Sequence, residues 1–430
     1  MEPRDDLTPT NARQVQAAAS SRNVALFPWY KFFSGLIFWQ AVWFLYFQNQ
    51  LSAAAAILLY AAYDIATMVL EVPSGWMSDR FGRRPTLIVA AMAGLAGAAL
   101  LVIGGSFGVF LAGQILIGAA MAFSSGTDSA LLYESLAINS EEDAIEWHEM
   151  RAWRFSFVAL AFSAVTGGAM SLVAPIVPFI AGCLAASALL AITWSLTEPS
   201  HVQRDPQEIR ETERIRVLGK TMRDPALVWL FMLSIAMYGF SHVPFVFGQP
   251  FILQALTAID LDAQAPLVSG AVSSGMMLLS VTVSLAAPEL RDRVGLAGIL
   301  LIAFAVQIVV IGALSLTDAA FAIAILLMRM VPDSLSRPFV VARIQRSLDD
   351  VARATYLSVQ SLVGRLVFAA SLSLAAFWTA DRAEMSGDQI SVVLTWYAGA
   401  GLVVWIILAI ALRSVPLELR QSETGSSQPR

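Results

Sequence analysis

Few charged side chains stand deep inside the stretches that are otherwise apolar, among them Lys31, Asp64, Glu71, Asp128, Arg329, Asp333, Arg337 and Arg365. In such surroundings a carboxylate can take up and release a proton, and a guanidinium is a fork that holds an anion. Asp64, Arg329 and Arg365 fall about midway along their stretches, so they are the first candidates for contact with a solute or a proton. Asp333 follows Arg329 by one helical turn, a spacing that predicts an i,i+4 pair. Lys31 and Glu71 lie at similar depth on adjacent stretches and are expected to pair with each other. Asp128 is deep enough to face a solute or to pair with a cytoplasmic arginine. Two uncharged candidates join them. Gln40 stands in the aromatic run FFSGLIFWQAVWFLYF (32–47), and His242 lies at roughly helical spacing from Tyr238 and Gln249. For His242 a proton site and a satisfied core histidine are the two readings.

A second concentration of charge is GWMSDRFGRRP (75–85), where Asp79, Arg80, Arg83 and Arg84 separate two of the most apolar stretches. A carboxylate at a helix end can face the positive N-terminus of another helix, an interaction of about 0.3–1 kcal/mol that grows with burial. Gly75 and Gly82 allow a tight turn and close backbone approach there.

The elements that must position these groups are membrane-spanning helices. The chain has 430 residues, of which 57% are hydrophobic and 14% charged, and its mean hydropathy is +0.68. A soluble chain averages about 25% charged residues. Runs of about 20 apolar residues, the length of one helical crossing, recur at roughly 24–48, 52–78, 85–105, 107–135, 152–173, 175–197, 224–253, 266–288, 294–315, 319–345, 352–379 and 389–412. The reading is an all-α membrane protein of twelve transmembrane helices. The uncharged run 155–197 is too long for one crossing and divides at VAPIVP, and Asp224-Pro225 is a helix-start signal. A β-barrel is excluded because the runs are continuous rather than alternating.

Lys and Arg are absent from QNQLS (48–52) and GGSFG (104–108), whereas Arg80, Arg83, Arg84, Arg151, Arg154, Arg291 and Arg293 occupy the other set of connections. By the positive-inside rule both termini are cytoplasmic. The expected organisation is a polar N-terminal tail (1–22) without a cleavable signal, a six-helix bundle (23–197), a charged central loop (198–223), a second six-helix bundle (224–413) and a C-terminal tail (414–430). The halves echo each other. Asp292, Arg293 and Gly295 repeat the spacing of Asp79, Arg80 and Gly82 after 213 residues, Asp333-Ser334 repeats Asp128-Ser129 after 205, and Arg353-Ala354 repeats Arg151-Ala152 after 202. Such duplicated units build many secondary transporters, with the solute site at midplane between them.

Gly75, Asp79, Arg80, Gly82, Arg83 and Arg84 match the G-x-x-x-D-R-x-G-R-R loop of the major facilitator superfamily, between spans two and three. The chain resembles that family along essentially its whole length. EVPSG (71–75), GTDSALLYESL (126–136) and RATYLSVQSLVGR (353–365) further resemble a bacterial group whose substrates are mostly unassigned. The resemblance implies two six-helix pseudo-repeats, a cavity lined by spans one, four, seven and ten, and spans two, five, eight and eleven at the interface between halves. It implies that the motif loop latches the halves on the cytoplasmic side, with Asp79 docked on the start of span eleven near Val351 to Ala354. For Arg365 a lock between halves stands beside a ligand role. The family's proton-antiport drug exporters carry an arginine in span four where this chain has Gln114, and a Gly-Pro pair in span five where it has Gly167-Gly168. That departure argues against the standard drug-antiport route and leaves Asp64 as a proton carrier.

The resulting expectation is a transporter, not an enzyme, in the bacterial inner membrane. It moves a small organic solute by alternating access, with proton-coupled export placed first, uptake of an organic anion held by Arg329 and Arg365 second, and a transport-inactive scaffold or sensor third. Protons are the expected coupling ion and the lipid bilayer the surroundings, in a monomer. A phosphate-cradling loop with its lysine is missing from the sequence, which excludes ATP-driven pumping by this chain alone. No cofactor or metal is expected. Cys183 is the single cysteine and can form neither an internal disulfide nor a cysteine-based metal cluster. A formal charge of -5 gives no sign of nucleic-acid binding.

Overall fold

The computed structural model describes residues 9–141, 144–199, 219, 221–317, 319–348, 350–378 and 387–417. Among these residues the chain is helical throughout, with no strand. Its α-helices are α1 (Pro9–Gly35), α2 (Trp43–Gln50), α3 (Ala53–Phe81), α4 (Arg83–Ile103), α5 (Phe107–Ser124), α6 (Thr127–Ile138), α7 (Ile145–Ser171), α8 (Val177–Ser195), α9 (Pro225–Thr257), α10 (Ala265–Ser315), α11 (Val331–Ser347), α12 (Asp350–Trp378) and α13 (Gly387–Ala411). A 3₁₀ segment, Ala320–Met330, leads into α11.

Eight helical stretches among the described residues are long and apolar enough to cross a membrane. They hold nine of the twelve expected spans, because spans eight and nine run together through a kink at Gly295. The other three are helical but interrupted or charged. Span one breaks over Leu36–Val42 between α1 and α2, span five carries Arg151 and Arg154 near its start, and span ten begins as the 3₁₀ segment. Local signals work as the sequence predicts at two joins. Asp224 accepts a hydrogen bond from the Ala226 amide at 2.8 Å with Pro225 in the first turn, and VAPIVP separates α7 from α8. The N-terminal tail differs from expectation. Helix α1 begins at Pro9, since NARQVQAAASSR is rich in good helix formers and extends the first span outward. Most of the central loop and all of the C-terminal segment from residue 418 lie outside the described residues.

Helices α1 to α8 pack mainly among themselves, as do α9 to α13, and the two groups meet along α3 with α12 and α7 with α10. The two ends of the molecule differ. Towards the face opposite the chain termini, one apolar cluster joins both groups, running from Trp43, Phe44 and Ile57 to Phe247, Phe251, Phe368 and Leu372. Towards the terminal face the core splits into two separate clusters, one around Phe27, Tyr30 and Leu132 and the other around Trp229, Phe304 and Tyr356. Among the described residues the molecule is therefore sealed at the far face, and no buried apolar cluster joins the two groups at the terminal face.

The far seal is made by backbone against backbone. A Cβ at Gly270 would lie 2.3 Å from the Ala164 carbonyl oxygen, and one at Gly168 only 2.4 Å from that of Pro266, so α7 and α10 touch where only glycine fits. Ser274 Oγ adds a 2.8 Å bond to the Ala161 carbonyl.

Candidate functional site

Asp64 comes from the middle of α3 and is 1% exposed. Its Oδ1 lies 2.7 Å from Arg365 Nη1 of α12, and the Tyr238 hydroxyl of α9 donates to both carboxylate oxygens at 2.9 and 3.0 Å. Arg365 also stands over the Tyr238 ring at 5.6 Å. The three side chains bridge the two helix groups at midplane, so Arg365 occupies the position of a lock between halves with Asp64 as its partner. His242, one turn beyond Tyr238, has Nδ1 2.7 Å from the Tyr238 carbonyl and packs on the Phe368 ring at 5.3 Å. Its near neighbours tie it to its own helix and to this triad.

Deeper toward the far face, α9, α10 and the 3₁₀ segment enclose a cavity of about 150 Å³. Its wall combines Gln40, Gln249, Ser269, Ser273 and Arg329 with Phe245, Val272, Met276, Met277 and Leu326. Arg329 stacks on the Phe245 ring at 4.8 Å, and among the described residues no carboxylate lies within the 4.0 Å of an ion pair. A half-buried guanidinium with no ion-pair partner among the described residues is costly inside a membrane, and its fork of N–H donors suits negative charge or dense hydrogen-bond acceptors.

Two expected pairs are corrected. Lys31 does not meet Glu71; its Nζ lies 2.5 Å from Asp128 Oδ2. Helix α1 packs against α6, α7 and α8 rather than the terminal half of α3, so the lysine reaches the acid at the start of α6. Asp128 itself follows Gly126, whose left-handed conformation breaks span four into α5 and α6. Asp333 likewise forms no ion pair with Arg329. The arginine lies in the 3₁₀ segment and Asp333 in the first turn of α11, so the two are not one α-helical turn apart and act on each other only as charges beyond ion-pair distance.

The motif loop is held from an unexpected side. Gly82, at φ +107 and ψ 165, adopts a backbone conformation reserved for glycine, and Gly295 in the second copy repeats it at φ 75 and ψ 170. Glu198, just past α8, caps α4 by accepting from the backbone amides of Arg83 at 2.8 Å and Arg84 at 2.7 Å. Arg83 reaches Asp79 at 2.7 Å, Ser78 Oγ at 2.7 Å and Glu134 at 3.0 Å, while Arg84 Nη2 donates to the Trp194 carbonyl at 2.9 Å. Asp79 is 74% exposed in this arrangement and faces Arg83 of its own loop. The side chains of Val351 to Ala354, the expected dock, lie outside the described residues. Arg80 and Gly75 are exposed, and nothing lies within 4 Å of a Cβ at Gly75.

Glu198, Glu134, Tyr238 and Gln249 are contact partners of these residues to which the sequence assigns no role. Only the i, i+4, i+11 spacing of Tyr238, His242 and Gln249 put two of them on one face of span seven.

The profile of the Major Facilitator Superfamily matches residues 30–373. Among solved structures, the nucleoside transporter NupG is similar with a TM-score of 0.72 at 12% identity, over 92% of this chain and 99% of that one. An auto-inhibited POT family peptide transporter gives 0.68 at 13% identity over 95% and 99%, and the D-xylose-proton symporter gives 0.60 at 16% over 93% and 97%. No curated protein sequence matches the chain. At these identities the likeness is one of fold. With the family profile spanning most of its length, the chain belongs to the Major Facilitator Superfamily, and it is a secondary transporter of the membrane rather than an enzyme.

Proposed function

We propose that the protein carries a small organic anion together with a proton by alternating access. The observation that carries this reading is Arg329, a half-buried guanidinium in the wall of the cavity with no carboxylate within 4.0 Å among the described residues. The polar wall of Gln40, Gln249, Ser269 and Ser273 would orient the solute, and Phe245, Met276 and Met277 would take its apolar part.

Coupling follows from Arg365 having two possible partners. While Asp64 is ionised it holds Arg365, and the empty carrier reorients with that charge compensated. A proton on Asp64 frees Arg365, which then needs a new anion because an uncompensated charge at mid-membrane costs at least about 2.5–3.5 kcal/mol. The freed charge acts near His242 together with that of Arg329, so it strengthens the pull on an anion entering the cavity. Protonation and anion binding thus assist each other, which is symport chemistry. Proton-driven export by exchange, the first expectation from sequence, asks solute and proton to compete for one group. A cation competing at Asp64 would meet Arg365 at that group, which disfavours it. The three solved relatives above, named for a nucleoside, a peptide and a sugar, share the fold at 12–16% identity, so the fold leaves the solute to these side chains.

In this reading residues 23–197 and 224–413 are the two bundles that rock, in a monomer. The terminal face, with Arg80, Arg83, Arg84, Arg151, Arg154, Arg291 and Arg293, is cytoplasmic in the inner membrane of a bacterium. The described state is then open inward.

The test is thermal stabilisation of purified protein by a panel of organic anions, neutral solutes and cations. Anions are expected to raise the transition temperature, and Arg329→Gln to abolish that rise. Stabilisation by cations alone, or by anions equally well in Arg329→Gln, would overturn the reading.

A further inference from the structure

The break in span one is occupied by a side chain from the other half of the molecule. In a continuous helix the Phe44 amide would donate to the Gln40 carbonyl, four residues back. Instead Phe44 N donates to Gln249 Oε1 at 2.9 Å, and Gln249 Nε2 donates to the Gln40 carbonyl at 3.0 Å. The primary amide of Gln249, from α9, stands inside the missing hydrogen bond and satisfies both of its ends. Gln249 is 7% exposed, and both it and Gln40 line the central cavity. Trp43 stacks on Phe245 of the same helix at 5.8 Å, so break and partner are packed together.

Buried backbone groups in a membrane must be satisfied. When α9 draws away from span one as the far face opens, the Gln40 carbonyl and the Phe44 amide lose both partners at once. They are four residues apart, the donor-to-acceptor separation of an α-helix. We propose that Gln249 is a gating residue: it holds span one broken while the far face is closed, and its withdrawal restores the Gln40 to Phe44 turn when that face opens. The cavity wall changes with it. Rewinding turns Gln40, whose side-chain amide now donates to the Leu160 carbonyl at 2.9 Å and Ser163 Oγ at 3.3 Å. One residue thereby links gate position, helix continuity and the shape of the solute site.

The inference rests on alternating access between the two halves and is independent of which solute or ion moves. Its test uses the full chain with Cys183→Ser, spin-labelled through Asn49→Cys and Ala258→Cys at the far ends of the two helices, in lipid nanodiscs. Gln249→Met keeps the length of the side chain and removes both amide atoms. It is expected to increase the long-distance, far-face-open population at least threefold. Hydrogen exchange of the 40–44 segment is expected to slow in the same variant, because the helix bond re-forms. A purely structural tie predicts faster exchange when lost. Gln249→Glu keeps the acceptor for Phe44 but, ionised, loses the donor to Gln40, and is expected to shift the distances in the same direction. If Gln249→Met does not fold, that shift decides the matter. Unchanged distances, or exchange that is unchanged or faster, would overturn the proposal without touching the anion reading, which is tested by ligand stabilisation.

Discussion

Asp64 and Arg365 stand 301 residues apart in sequence and 2.7 Å apart in space, on helices of different halves. Each is the other's only ion-pair partner among the described residues. The seam between the halves is thus crossed at midplane by one buried salt bridge, steadied by the Tyr238 hydroxyl. Removing one member of such a pair costs about 3–5 kcal/mol because the other charge stays buried, whereas removing both is far cheaper.

That asymmetry gives the first prediction. Asp64→Asn should reduce pH-gradient-driven flux in proteoliposomes at least tenfold yet retain counterflow exchange of solute, which needs the cavity but no net proton movement. Asp64→Asn and Arg365→Gln singly should each lower the thermal transition, and the double variant should regain most of the loss. Full gradient-driven flux in Asp64→Asn would remove this acid from coupling and transfer the role to Asp128.

Glu198 gives the second. Its carboxylate accepts two backbone amides at the N-terminus of α4, where a capping acceptor is worth about 1 kcal/mol and a negative charge a further 0.3–1. Glu198→Ala should lower stability by about 1–2 kcal/mol in denaturation, and Glu198→Gln by less. Solute-induced stabilisation should be unaffected, since the cap lies far from the cavity. A variant as stable as the parent would show that solvent caps the helix equally well.

Much of the architecture was legible because apolar runs of crossing length are long and repeat, and because Asp224-Pro225 and VAPIVP carry local backbone chemistry. The motif loop was legible for the same reason: a glycine-only conformation at Gly82 and Gly295 leaves a mark in sequence at both copies. Partners were not. Lys31 was matched to Glu71 by depth alone, and depth says nothing about which helix lies alongside; α6 does, so Asp128 takes the lysine. Arg329 and Asp333 were paired by α-helical arithmetic that the 3₁₀ turn invalidates. Glu198 was invisible because a cap from another helix has no spacing rule, and Gln249 showed only through its helical spacing from Tyr238 and His242, which gives no sign of its bonds to span one.

The third prediction concerns Asp79. Among the described residues Arg83 of its own loop is its one ion-pair partner, and the side chain is 74% exposed, as an undocked latch would be. Docking on another helix would then belong to the opposite state, so Asp79→Asn should leave expression and insertion near normal while favouring the parted form and cutting transport. Cysteine labelling at Ser273→Cys and Met330→Cys, which line the cavity, should rise in the variant. Labelling that is unchanged would refute the latch.

The far seal supplies the fourth. At Gly270 an added Cβ would meet the Ala164 carbonyl oxygen at 2.3 Å, against backbone rather than a side chain that can swing aside. Contact that short cannot be kept, so α7 and α10 must part, and they part at the end where the halves are closed. The strain is present only in the far-closed state and absent when the halves separate there, so it acts as a shift in the equilibrium between states: each 1.4 kcal/mol of it moves the population tenfold. Gly270→Ala should therefore populate the far-open form, lengthening the distance between labels at Asn49→Cys and Ala258→Cys, and reduce net flux while the protein remains folded. Gly239→Ala, in the same half with nothing within 4 Å of its Cβ, is the matched control and should leave the distances alone. If Gly270→Ala leaves them alone as well, the close approach of α7 and α10 is incidental to closure, and the seal rests on the apolar cluster around Trp43 and Phe247 instead.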